Sequence, residues 1–81
     1  MDGKFVPWHD ANVHVLTHTL HYGLGVFEGI RCYQIKSKKS AVFRLQEHVN
    51  RLFNSAIVLG IKIPFSKKEI HTAILQVVKK N

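Results

Sequence analysis

The segment Val26-Phe-Glu-Gly-Ile-Arg-Cys-Tyr-Gln-Ile35 predicts a β-strand, and the rest of the architecture can be built outward from it. Successive side chains of a strand point to opposite faces of a sheet. One face of this strand therefore carries Phe27, Gly29 and Arg31 together. Three glycines lie within seven residues from 23 to 29, and with the aromatic and charged side chains around them they suit backbone packed close to a ligand better than a plain core.

A second strand and two amphipathic helices follow. The polar run from 36 to 40 is typical of a turn, and Ala41-Val-Phe-Arg-Leu45 predicts a strand that completes an antiparallel hairpin. Apolar residues recur at helical spacing from Gln46 to Leu59, and Gly60 is placed to end that helix. Ser66-Lys-Lys-Glu69 has the pattern of a capping box that starts a second helix. The expected fold class is α+β, a small antiparallel sheet with two helices packed on it.

The two ends of the sequence indicate a piece of a longer protein. Asp2-Gly3 is a strong signal for a tight hairpin turn, and Lys4-Phe-Val-Pro-Trp8 is a short strand candidate. A hairpin needs a strand before its turn, but only Met1 precedes this one. A short helical turn capped by Thr17 is expected next. The last helix reaches the end of the sequence without a stop signal, so we expect residues 1–81 to form a single partial domain.

Composition narrows the class of protein. At 81 residues the chain is at most one domain, and 46% hydrophobic residues argue against intrinsic disorder. No apolar run approaches the roughly 18–20 residues that cross a bilayer. One cysteine excludes an internal disulfide and fits a reducing cytoplasm. The net charge of +7 leaves a small basic nucleic-acid-binding module open, although the lysines cluster at turns and helix ends.

Several residue types capable of chemistry each have an ordinary structural explanation. His14, His18 and His21 have the i, i+4, i+7 spacing that holds zinc on one helix face, but surface or hydrogen-bonded histidines are the favoured interpretation, and no metal site is expected. Cys32 is expected to be a small buried hydrophobe rather than a nucleophile. Arg51 lies in the middle of the first long helix, where a surface salt bridge and an anion partner both remain open.

Taken together, these residues resemble the branched-chain amino acid aminotransferases, fold-type IV enzymes that use pyridoxal 5'-phosphate. The resemblance runs through almost the whole chain in the family's order and is strongest in the string from 26 to 33. It is carried by Asp2-Gly-Lys-Phe-Val-Pro-Trp8, Asp10-Ala-Asn-Val-His-Val-Leu-Thr-His18, Leu20-His-Tyr-Gly23, Val26-Phe-Glu-Gly-Ile-Arg-Cys-Tyr33, Val42-Phe-Arg44 and Glu47-His-Val-Asn-Arg-Leu52. Leu24-Gly25 departs from the small polar pair that the family usually has there, which leaves the local packing and the fine substrate preference open.

The resemblance implies specific roles. The arginine that binds the cofactor phosphate in the family corresponds to Arg51, and substrate-pocket positions correspond to Tyr22, Phe27, Gly29 and Arg31. The family tyrosine at the position of Tyr22 reaches the pocket of a neighbouring subunit, which implies a homodimer or a higher homo-oligomer. The implied substrates are branched-chain amino acids and 2-oxo acids, with no nucleic acid and no membrane as partners.

The resemblance also implies that essential chemistry lies outside these residues. Transamination needs a lysine that forms a Schiff base with the cofactor and then moves a proton. None of the nine lysines stands in the family's context for that residue, so a C-terminal domain is expected to supply it, and residues 1–81 alone are expected to be inactive. The implied reaction moves the amino group of leucine, isoleucine or valine to 2-oxoglutarate. The closest alternative is a D-amino-acid aminotransferase or an aminodeoxychorismate lyase relative.

Overall fold

The computed structural model describes residues 1–36 and 39–81. A short 3-10 turn, Trp8–Asp10, precedes helix α1, His18–Tyr22. Strands β1, Cys32–Gln34, and β2, Ser40–Val42, form a two-stranded antiparallel sheet. Two long helices follow, α2, Leu45–Val58, and α3, Lys67–Lys80. The α+β class is confirmed, although the main packing contact of the helices is with each other.

The hairpin is confirmed, but both strands are shorter than predicted. Tyr33 lies opposite Ala41 in the antiparallel register, and the Phe43 N–H donates one more hydrogen bond to the Arg31 carbonyl, at 3.1 Å. Beyond that point Arg44 adopts a left-handed conformation, with φ of 48°, and the chain turns directly into α2. Residues 26–30 therefore find no ladder partner in the part of the chain that the structure describes. The predicted turn at 36–40 includes residues 37 and 38, which lie outside the described residues.

Helix α2 begins one residue before the predicted Gln46 and ends at Val58, one residue before the predicted Leu59, and the predicted Gly60 follows in its C-terminal cap. Gly60 has φ of +67°, its N–H donates to the Ile57 carbonyl at 3.1 Å, and the Ile61 N–H donates to the Ala56 carbonyl at 2.8 Å. These two bonds define a Schellman motif, which satisfies carbonyls that a helix end leaves without partners. The buried side chains of the described chain are on this helix: Leu45, Val49 and Ala56.

Helix α3 begins with the predicted capping box. The Ser66 hydroxyl accepts a hydrogen bond from the Glu69 N–H at 3.2 Å, and the Glu69 carboxylate accepts one from the Ser66 N–H at 2.7 Å. Packing against α2 is reinforced where Lys67 Nζ donates to Asn50 Oδ1, at 3.0 Å. The second helix of the prediction is thus confirmed together with its start.

The N-terminal segment keeps its predicted turn but not its predicted strand. Asp2 and Gly3 have φ of 48° and 78°, and the Lys4 N–H donates to the Met1 carbonyl at 2.9 Å. Two consecutive positive φ angles are the mark of a type I′ hairpin turn. Residues 4–7 form no strand, because no ladder partner faces them among the residues described.

None of the described helices is long and apolar enough to cross a membrane.

Candidate functional site

An ion pair between Glu28 and Arg51 joins the segment after α1 to the middle of α2. Arg51 Nε donates to Glu28 Oε1 and Arg51 Nη2 donates to Glu28 Oε2, both at 2.7 Å. The two residues are 23 positions apart in sequence, so the bond is a tertiary contact. Two parallel hydrogen bonds between a guanidinium and a carboxylate fix both the distance and the orientation of the pair.

The two partners differ sharply in exposure. The Glu28 side chain is 5% exposed, whereas the Arg51 side chain is 67% exposed. Its neighbours on the same face, Val26 and Ile30, are partly covered. The Glu28 carboxylate lies against α2, where it contacts His48 and Arg51. Buried charges in proteins are usually paired, and here the pairing charge is Arg51. The bond therefore anchors residues 26–30 to α2, and no strand among the described residues pairs with them.

His48 completes the environment of the Glu28 carboxylate. Its Nδ1 lies 2.7 Å from Glu28 Oε2, and its side chain is 20% exposed. An ionised carboxylate only accepts hydrogen bonds, so His48 Nδ1 carries the hydrogen and donates it. His48 and Arg51 are three residues apart on one helix, a spacing that puts both side chains on the same face. Glu28 thus accepts three hydrogen bonds from one face of α2.

These contacts stabilise the ionised form of the carboxyl group. Hydrogen bonds from Arg51 and His48 lower the pKa of Glu28 from 4.5 to about 2, and the bond from Arg51 has the larger effect. The same pairing raises the pKa of the Arg51 guanidinium. Glu28 and Arg51 are therefore both charged at neutral pH.

The lowered pKa predicts how the ion pair responds to acid. Glu28 is less readily protonated in the folded protein than in the unfolded chain, so the pair stabilises the fold fully above pH 4.5 and loses this contribution as the pH falls to about 2. We expect the difference in unfolding free energy between the wild-type protein and Glu28→Gln to be constant from pH 7 to about pH 5 and to shrink below it. Urea unfolding at several pH values measures it. A difference that grew on acidification would contradict the pairing.

The predicted pocket residues lie on the opposite side of the same segment. Val26, Glu28 and Ile30 are partly covered, whereas Phe27, Gly29 and Arg31 are exposed, and Phe27 is 88% exposed. This alternation agrees with the predicted sharing of one face. A Cβ atom built on Gly29 would meet no atom within 4 Å, so the surface is open at that point.

Tyr22 belongs to a different local environment. It is the last residue of α1 and is 80% exposed. Its ring meets the ring of His18 edge-on, with the centroids 5.9 Å apart, and lies 6.3 Å from that of His21. The contacts of the described chain thus bring Glu28, His48 and Arg51 together and leave Tyr22 outside that cluster.

Two of the three histidines considered for zinc make local hydrogen bonds. His14 Nδ1 accepts from the Leu16 N–H at 3.1 Å, and His21 Nε2 lies 2.7 Å from the Val15 carbonyl oxygen. Across residues 1–36 and 39–81, no three side chains are arranged as metal ligands.

The expectation that Cys32 is buried is wrong, because the thiol is exposed. Cys32 lies on a hairpin of only two strands, and the described residues do not cover its side of that sheet.

One cleft of the described chain is separate from all the predicted site residues. It has a volume of about 690 Å³ and lies between the N-terminal segment and α3, where Phe5, Val6 and Phe65 line it. Its lining contains neither Arg51 nor any of the predicted pocket residues.

Sequence reasoning identified Arg51 but missed its partner Glu28, and it missed His48, which also bonds Glu28. The signal was present, because Glu28 falls between Val26 and Ile30 on the covered face of the predicted strand. A carboxylate on an apolar face needs a cationic or hydrogen-bonding partner. His48 and Arg51, three residues apart on one helix face, are such partners, but only the folded chain shows which helix face meets the strand.

Comparisons with known proteins give the family. Residues 25–81 match the model of the amino-transferase class IV family. The branched-chain-amino-acid aminotransferase of Pseudomonas aeruginosa is 52% identical over 80 residues, which are 99% of this chain and 26% of that protein. The enzyme of the same name from Escherichia coli is 46% identical over 80 residues, again 99% of this chain and 26% of that protein. The chain spans about a quarter of the length of these relatives.

Solved structures agree in fold. The Escherichia coli branched-chain amino acid aminotransferase matches with a TM-score of 0.91 and 46% identity over 98% of this chain and 26% of that one. The T. th. branched-chain amino acid aminotransferase complexed with N-(5'-phosphopyridoxyl)-L-glutamate matches with a TM-score of 0.90 and 52% identity over 96% of this chain and 26% of that one. With a family match over more than half of its residues, this chain belongs to the class IV aminotransferases.

Proposed function

We propose that this chain is the N-terminal part of a branched-chain amino acid aminotransferase that uses pyridoxal 5'-phosphate. The full-length enzyme moves the amino group of leucine, isoleucine or valine to 2-oxoglutarate and so forms a branched 2-oxo acid and glutamate. Relatives with that name are 46% to 52% identical to almost the whole chain, which supports the proposal. In this proposal residues 1–81 belong to the small domain, and a following domain provides the reactive lysine.

The observation that carries the proposal is that Arg51 is charged, paired with Glu28 and largely exposed. Its guanidinium is charged, held from one side by Glu28 and exposed on the other. A planar guanidinium with free N–H groups matches the oxygens of a phosphate group. The residues present thus fit the phosphate of the cofactor, and Arg51 would hold it. The bound cofactor supplies the electron sink that lets an amino acid lose its α-proton.

The exposed face of residues 27–31 suits the proposed substrates. Phe27 gives an apolar wall and Gly29 an open gap beside it, a combination that accommodates a branched aliphatic side chain. Arg31 on the same face offers a cation to a carboxylate, which the amino acid and both oxo acids carry. Together with Tyr22, these residues form the substrate-binding set of this proposal.

The proposal extends to assembly and location. Tyr22 stands 80% exposed at the end of α1, where it is free to reach across to a neighbouring subunit, so a homodimer or a larger homo-oligomer is proposed. The exposed unpaired Cys32 suits a reducing compartment, and a cytoplasmic enzyme is proposed accordingly.

A substrate survey of the full-length protein tests the proposed function. We expect leucine, isoleucine and valine to donate their amino group to 2-oxoglutarate, and we expect kcat/KM for these three to exceed that for D-alanine by at least about a hundredfold. Glutamate formation, followed with a coupled dehydrogenase, measures it. A preference for D-alanine, or pyruvate release from aminodeoxychorismate, would favour the alternatives. Salt-dependent retardation of DNA without any transamination would favour a nucleic-acid-binding module.

A further inference from the structure

The geometry of the Glu28–Arg51 pair leaves a defined part of the guanidinium free. A guanidinium has five N–H groups, one on Nε and two on each Nη. Glu28 takes the Nε hydrogen and one hydrogen of Nη2. Within the described part of the chain, both hydrogens of Nη1 and the second hydrogen of Nη2 have no acceptor, and the Arg51 side chain is 67% exposed. The carboxylate therefore sets which way the free donors face.

Glu28 is itself held tightly enough to do this. Its side chain is 5% exposed, and His48 Nδ1 approaches Oε2 at 2.7 Å from the same helix that carries Arg51. An arginine side chain otherwise has several rotatable bonds and loses considerable entropy when it is fixed. Pairing with a fixed carboxylate removes that freedom before a ligand arrives. The guanidinium then loses its conformational entropy when the protein folds, and binding of the phosphate does not have to include that loss.

We propose that Glu28 is a positioning residue that aims the free N–H groups of Arg51 at the phosphate of the cofactor. This inference rests on the proposed function, because it takes Arg51 as the phosphate-binding residue. Two effects of Glu28 oppose each other. Its negative charge repels a phosphate, whereas its two hydrogen bonds hold the guanidinium in the geometry that a phosphate needs. The proposal states that orientation outweighs repulsion.

The test compares two ligands that differ in the phosphate alone. In the full-length enzyme, Glu28→Gln keeps the shape of the side chain but puts an amide where one carboxylate oxygen accepted a hydrogen from Arg51. We expect the affinity for pyridoxal 5'-phosphate to fall by about tenfold, while the affinity for pyridoxal, which has no phosphate, stays within about twofold. Absorbance titration of the cofactor-free enzyme with each ligand gives both dissociation constants.

Glu47→Gln is the matched control, because it removes the same charge from another arginine pair on α2. Glu47 bonds Arg44 at 3.0 Å, and both side chains are exposed. We expect it to leave the ratio of the two affinities unchanged. Glu28→Asp is the second variant, since its carboxylate keeps the charge but is one methylene too short to keep both bonds. It should show the same selective loss, and it serves alone if Glu28→Gln does not fold.

Each outcome separates this inference from the proposed function. Unchanged or tighter binding of pyridoxal 5'-phosphate by Glu28→Gln, or an equal loss for both ligands, overturns the positioning role. The deciding quantity is the affinity for pyridoxal 5'-phosphate divided by the affinity for pyridoxal. Should Arg51→Ala lower this ratio while the Glu28 variants leave it unchanged, the phosphate site stands and the positioning role fails. Should Arg51→Ala itself leave the ratio unchanged, the proposed phosphate site fails, and the positioning role fails with it.

Discussion

Replacing Arg51 with alanine is expected to weaken the binding of pyridoxal 5'-phosphate to the full-length enzyme by about a hundredfold. The guanidinium has three N–H groups that Glu28 does not use, and its exposed side leaves them available to phosphate oxygens. Alanine removes both the charge and these donors. Absorbance titration of the cofactor-free protein, with pyridoxal 5'-phosphate and pyridoxal in parallel, measures the effect.

Two control variants make the Arg51→Ala result specific. Arg44→Ala removes an exposed arginine of the same region, one that pairs with Glu47 and not with Glu28, and we expect it to retain wild-type affinity. Because Arg51→Ala leaves the Glu28 carboxylate without its strongest partner, the double variant with Glu28→Gln removes that uncompensated charge as well. If the double variant folds stably and still binds pyridoxal 5'-phosphate as tightly as the wild type, Arg51 does not bind the phosphate.

Gly29→Val is the second substitution with a large expected effect. In the proposed full-length enzyme we expect kcat/KM for leucine to fall by about a hundredfold, because the new side chain would fill the gap beside Phe27 and displace the proposed branched substrate. The backbone at Gly29 does not have a positive φ, and a Cβ there meets no atom within 4 Å. The described fold therefore accepts the substitution without strain. Steady-state kinetics with leucine, valine and alanine as amino donors measure the effect.

Amino donors with side chains of different size test whether the loss of activity comes from a filled substrate pocket. Gly29→Ala should give a smaller loss of about tenfold, and alanine as a donor should lose less than leucine in both variants. Affinity for pyridoxal 5'-phosphate should remain unchanged, since Gly29 faces away from the side on which Glu28 meets α2. An equal loss for all three donors would indicate a general distortion, and Gly29 would then have no role in substrate selection.

Several elements of the fold were predictable because their signals are local. The capping box at Ser66 depends on residues within one helical turn, and the end of α2 depends on one glycine that adopts a positive φ. The alternation along 26–31 follows from backbone geometry and holds even where no sheet ladder forms. The strand lengths were not predictable in this way. They depend on where β2 ends, and Arg44 ends it by turning the chain into α2.

The amino-acid sequence alone determined the class of fold, the two long helices with one cap each, at Gly60 and Ser66, and Arg51 as a candidate anion partner. Tertiary structure alone decided which carboxylate pairs with Arg51, because Glu28 is 23 residues away and meets it only after the segment lies against α2. It also decided that Cys32 is exposed. The physical reason is range: caps and periodicity act over a few residues, whereas pairing and burial depend on which surfaces meet when the chain folds.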